Sequence, residues 1–115
     1  MIRRCKDMHR NMEENPAGGT GQLVADTLFT TGEMDGKTGM FATVTLEPHS
    51  IVGEHLHTEE SEVYYLLSGS AVMVEDGRRY PISAGDAELC PSGHSHGMEN
   101  NTDEPVVFLA IEFKN

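Results

Sequence analysis

The stretch His55-Leu56-His57-Thr58-Glu59-Glu60-Ser61-Glu62, running on into Val63-Tyr64-Tyr65-Leu66-Leu67-Ser68-Gly69, decides how this chain is read. On an extended strand, residues two apart point to the same face. His55 and His57 therefore present two imidazoles side by side. Glu62 follows far enough on for the chain to turn and bring a carboxylate back. A second stretch, Gly85 to Asn100, offers His96 from a separate strand to close the set. Three imidazoles and one carboxylate suit one divalent transition metal; iron, manganese, nickel and zinc all accept such mixed nitrogen and oxygen donors. A lone His-x-His pair is usually an exposed strand decoration. Here it comes with a spaced carboxylate, a third histidine and ordered glycines, which argues for a site.

The two stretches resemble the paired motifs of the cupin superfamily, G-x5-H-x-H-x3-4-E-x6-G and G-x5-P-x-G-x2-H-x3-N. His55, His57, Glu62 and Gly69 stand at the spacings of the first, and Gly85, Pro91, Gly93, His96 and Asn100 at those of the second. His49 stands where the first motif opens with glycine, a departure that touches local backbone geometry rather than the ligands. The resemblance runs from about Leu46 to Ile111. It implies a small single-domain, all-β protein, a double-stranded β-helix (jelly-roll) barrel, with His55, His57, Glu62 and His96 as metal ligands.

The bounds agree with a folded domain of this kind. A chain of 115 residues supports one core. Twelve glycines and five prolines, with few long helical patterns, lean towards short strands and turns. The formal net charge is −11, from 19 acidic and 8 basic residues. Such a field repels nucleic acid and anionic membranes, so neither is an expected partner. It says less about a small-molecule ligand, because a bound cation dominates its own pocket. No apolar run suits a membrane span or a signal peptide, and a cytoplasmic location is the expectation. Cys5 and Cys90 suggest no disulfide framework; Cys90 reads as a small buried apolar residue.

Taken in order, residues 1–21 read as an N-terminal arm or edge segment, and 22–115 as the single barrel domain. Gln22–Phe29 suits an early strand and Thr30–Gly39 a loop. Met40, Ala42, Val44 and Leu46 alternate with Phe41, Thr43, Thr45 and Glu47 in the clearest period-two pattern of the chain. If Glu62 points inward, so do Tyr64 and Leu66, while Val63, Tyr65 and Leu67 face out onto a second sheet or a partner chain. Ala71–Glu75 and Arg78–Ile82 flank Asp76-Gly77, a two-residue hairpin signal. Pro81 marks an edge strand, and Val106–Phe113 closes the chain.

Around the ligands, Tyr64, Leu66 and Met98 share strand parity with Glu62 or His96 and are candidates for the pocket wall. His94 reads as a solvent-facing loop residue, and Glu59 and Glu60 as a solvated loop. No Ser-His-Asp or Cys-His order stands out, and no catalytic residue is singled out. A four-ligand set leaves positions open for substrate, water or dioxygen. The expected function is therefore a metal-dependent dioxygenase acting on a small oxygenated or aromatic compound. The alternatives are a non-catalytic module binding a carboxylate or sugar, or a metal-dependent isomerase or lyase. The two-sided apolar run Val63–Leu67 and the N-terminal arm suggest a homodimer.

Overall fold

In the computed structural model, which describes residues 1–115, the chain forms ten strands. They are β1 (His9–Glu14), β2 (Gln22–Thr27), β3 (Thr38–Leu46), β4 (Ile51–Leu56), β5 (Glu60–Ser68), β6 (Ser70–Glu75), β7 (Arg78–Ser83), β8 (Ala87–Cys90), β9 (Ser95–Glu99) and β10 (Val106–Lys114). The remaining regular structure is two 3₁₀ turns, Cys5–Asp7 and Pro16–Gly18. No helix is long and apolar enough to cross a membrane.

All pairings are antiparallel, in a six-stranded sheet of order β1-β2-β3-β10-β5-β8 and a four-stranded sheet of order β4-β9-β6-β7. The two face each other as a jelly-roll, as the motif resemblance implies. Period-two alternation sets which side chains meet between them. Ala42, Val44 and Leu46 of β3, Tyr64 and Leu66 of β5, and Val106, Phe108 and Ala110 of β10 are buried, with Met73 and Met98 facing them from the other sheet. Burying a side chain such as Leu66 or Phe108 contributes about 1.5–3 kcal/mol, and a one-residue slip would expose the whole row. Tyr65 and Leu67 point outward, as their parity with Glu62 requires, and are half exposed.

Turn chemistry fixes the connections that carry the site. Asp76 and Gly77 both have positive φ, 47° and 81°, and join β6 to β7 with Glu75 opposite Arg78. Pro81 lies on β7, an edge strand of its sheet, where a missing N–H is tolerated. The early strand ends at Thr27, short of Phe29, whose ring instead meets Phe41 edge-on at 5.7 Å. His49 adopts φ 58°, the left-handed conformation that the motif's glycine would take, and its ring pairs with Asp103 at 2.6 Å. The departure from the motif therefore changes the residue and keeps the turn.

β1 pairs with β2 along its whole length, and every residue of it is exposed. Beyond it, the turn Pro16–Gly18 folds onto β4. A Cβ on Gly53 would lie 2.2 Å from the Ala17 carbonyl oxygen, so only glycine lets the two backbones come this close. The contact lays the N-terminal segment over one end of the barrel.

Candidate metal centre

β4 and β9 place His55 directly opposite His96. His57 lies just beyond the end of β4. Its N–H donates to the His94 carbonyl at 3.0 Å, and its carbonyl accepts from the Gly93 N–H at 2.6 Å. That two-way clasp turns the His57 side chain inward, where it is buried. Glu62 reaches in from β5 in the other sheet and is buried too.

The four side chains predicted from spacing converge: one donor atom from each of His55, His57, Glu62 and His96 lies within 4.8 Å of the others. His96 Nε2 is 2.9 Å from Glu62 Oε1 and 3.1 Å from His57 Nε2, and His57 Nε2 is 3.2 Å from Glu62 Oε1. The opposite nitrogen of each ring faces an acceptor. His55 Nδ1 donates to the Gly53 carbonyl at 2.8 Å, His57 Nδ1 faces Glu60 at 3.4 Å, and His96 Nδ1 faces Glu88 at 3.0 and 3.2 Å. Each outer nitrogen is thus offered a place for its proton, and each Nε2 lone pair is left for the centre. Tyr64 stacks on the His96 ring at 4.7 Å and 30°.

Protonation follows from the surroundings. Burial holds His55 below the ordinary imidazole range, so it is neutral near pH 7. Burial also opposes charge on His96, yet hydrogen bonds to Glu62 and Glu88 outweigh it and raise this group to about 9. One proton therefore sits among these side chains where a metal ion would otherwise provide the positive charge. Beside His57, burial and then Glu60 push Glu112 up to about 8, so that the Glu60–Glu112 pair holds one proton at neutral pH.

A cavity of about 190 Å³ opens onto His55, His57 and Glu62, and its wall includes Glu13, Pro16, Ala17, Met40, Tyr64 and Glu112. Tyr64 lines it, as strand parity suggests. Leu66 and Met98 do not: both are fully buried in the core below. Parity sets the face of a sheet, not the depth along it. Glu60 is no solvated loop residue, since it begins β5 and sits against His57 and Glu112. His94 points away from the centre to Asp76 at 2.7 Å, and Cys90 is buried with its thiol pushed up to about 12, first by burial. Sequence reasoning missed Glu88, Glu112 and the cavity wall supplied by the N-terminal segment.

Known proteins share this fold. The family model described as the cupin domain matches residues 42–112. An oxalate-binding protein of Thermotoga maritima is 36% identical over 111 residues, which cover 96% of this chain and 92% of that protein. The oxalate decarboxylase OxdC of Bacillus subtilis is 35% identical over 90% of this chain, but this chain spans only 28% of its length. Among solved structures, a protein described as a predicted oxalate decarboxylase from Thermotoga maritima superposes with a TM-score of 0.95 at 35% identity, over 100% of both chains. The polyketide cyclase RemF of Streptomyces resistomycificus, 22% identical, shares the fold with a TM-score of 0.77 over 98% of this chain and 80% of its own. The family match runs through all four converging side chains, and the chain belongs to the cupin family.

Proposed function

We propose that this chain holds one divalent transition metal between His55, His57, Glu62 and His96, and binds a small chelating carboxylate, oxalate in the first instance, at the open side of that metal. The observation that carries the metal is the donor spacing. Donors about 2.0–2.1 Å from one ion and at right angles to each other lie about 3 Å apart. The three pairs formed by Glu62, His57 and His96 are 2.9–3.2 Å apart. His57 and His96 also turn Nε2 towards Glu62 and each other, and all three rings face an acceptor with Nδ1.

The carboxylate follows from the cavity. No lysine or arginine lines it, whereas Glu13, Glu62 and Glu112 do. No lysine or arginine is there to attract an entering anion, so a bound metal would supply the attraction. Such an ion would supply a Lewis acid that chelates and polarises a carboxylate or carbonyl. The cavity, at about 190 Å³, is small beside the roughly 300–1,000 Å³ of sites for drug-sized ligands. That favours a two-carbon diacid over a larger aromatic compound. The names of the Thermotoga maritima and Bacillus subtilis relatives point to the same ligand.

The test is calorimetric titration of oxalate into metal-free protein and into protein loaded with manganese, iron, nickel or zinc. Binding only with metal present is the expected result. Equal oxalate binding with and without metal, or none at all, would contradict it. The same samples separate binding from turnover. Carbon dioxide released from oxalate would make the protein a decarboxylase. Oxygen uptake with Fe(II) and a catechol or flavonol would support the dioxygenase expectation, and a rearranged sugar or keto acid the isomerase one.

We further infer that the protein works as a homodimer. Tyr65, Leu67, Leu89 and Phe113 are between 43% and 56% exposed on neighbouring strands of the six-stranded sheet. The fully exposed β1 extends the same sheet. A second copy would cover both.

A further inference from the structure

We infer that Glu88 is a positioning residue: it holds the proton of His96 on Nδ1, so that Nε2 is the nitrogen presented to the metal. The inference rests on the metal reading above and adds a residue to it. On β8 the alternation runs against hydropathy, with Leu89 turned outward at 56% exposure and the carboxylate of Glu88 turned inward at 7%. Burying a carboxylate is costly unless it is hydrogen-bonded. Both of its oxygens face His96 Nδ1, at 3.0 and 3.2 Å. Glu88 is not among the side chains whose donor atoms converge, and it meets His96 on the Nδ1 side of the ring, so it lies behind the ring and is not a further ligand.

The other two rings show why this one needs a dedicated acceptor. His55 Nδ1 finds the Gly53 carbonyl two residues back in its own strand, and His57 Nδ1 faces Glu60 three residues ahead. His96 instead takes its acceptor from a neighbouring part of the fold, eight residues earlier. The stacked Tyr64 fixes the plane of the His96 ring, but stacking does not distinguish a ring from the same ring flipped. The Glu88 contact does. In the unflipped orientation Nδ1 meets an acceptor and Nε2 meets Glu62 and His57; flipping puts carbon atoms at those positions.

The experiment compares zinc-loaded wild type with Glu88→Gln and Glu88→Leu, reading zinc affinity by competition with a chelator and the His96 ring protons by NMR. Gln keeps an acceptor oxygen and Leu does not. The expected result is a slowly exchanging Nδ1 proton on His96 in wild type and Glu88→Gln, lost in Glu88→Leu together with about 10- to 100-fold in affinity. Wild-type affinity in Glu88→Leu with the Nδ1 proton still protected would overturn the inference. Equal weakening in both variants would also overturn it, since that would make the charge rather than the acceptor the contribution. Should Glu88→Leu not fold, the wild-type spectrum decides: a His96 ring carrying its proton on Nε2 is incompatible with the assignment. Wild type that bound no zinc would refute the metal reading instead. The ring-nitrogen shifts of the metal-free protein, above the pKa of His96, would then still report which nitrogen holds the proton.

Discussion

At the scale of single residues, His96 is where metal and proton compete. Burial works against its charge, but Glu62 and Glu88 together hold its pKa up to about 9, above the ordinary 6.5. A raised pKa means that the folded state binds the proton more tightly than the unfolded chain. The stability so gained is fully present below pH 6.5 and lost as pH rises through about 9. Metal-free protein should therefore lose up to about 3 kcal/mol across that window, while metal-loaded protein, whose His96 carries no such proton, should not. Denaturant titrations at several pH values measure this. The four converging side chains were legible, His55 and His57 from their shared strand parity and Glu62 and His96 from the motif spacing. Glu88 was not legible, since an acid in a four-residue strand faces in or out according to a register that only its neighbours set. His49 is a second residue-scale case. Its left-handed φ of 58° costs about 1–2 kcal/mol that glycine would not pay. Against this stands the greater unfolded-state entropy of glycine, about 0.4–1 kcal/mol, and an exposed pair with Asp103 of little worth. His49→Gly should raise stability by about 0.5–1 kcal/mol, and a lowered melting point would show that the Asp103 contact matters more than the turn.

At the scale of elements, the N-terminal turn and β4 form a unit with the site. The Ala17 carbonyl oxygen lies 2.2 Å from where a Cβ of Gly53 would be, and the carbonyl of that same Gly53 accepts from His55 Nδ1. Gly53→Ala must push the two backbones apart, at a cost of about 1–3 kcal/mol, and loosen His55 as it does so. The expected outcome is a lower melting point, weaker metal binding and faster proteolytic cleavage between Asn15 and Gly21. Unchanged cleavage and metal affinity would mean that the segment is held from elsewhere. The central strands could be read beforehand because alternation in β3 and β5 and the Asp76-Gly77 turn are local signals. The placement of Glu13, Pro16 and Ala17 at the cavity could not. It depends on Gly19 and Gly53 being small enough for close approach, and a glycine in a sequence does not say what it is close to.

At the scale of the whole molecule, two packed sheets present donors from different strands to one point, and the unpaired apolar side chains lie outside. Sedimentation equilibrium should give twice the chain mass of 12.6 kDa. A Leu67→Lys or Leu89→Lys change on the outer face should halve it without touching the metal site. A wild type that stays monomeric at high concentration would remove the second copy from the account. The acidic field with net charge −11 adds a further demand, because subunits of like charge pair more tightly as salt screens them. The central claim is that His55, His57, Glu62 and His96 bind one metal, and the most direct measurement is metal stoichiometry and affinity in single alanine variants of these four side chains and of His94. The account predicts one ion per chain, a loss of more than about 100-fold for His55→Ala, His57→Ala, Glu62→Ala and His96→Ala, and wild-type binding for His94→Ala. Binding that survives the loss of Glu62 or His96, or that falls equally with His94, would contradict it.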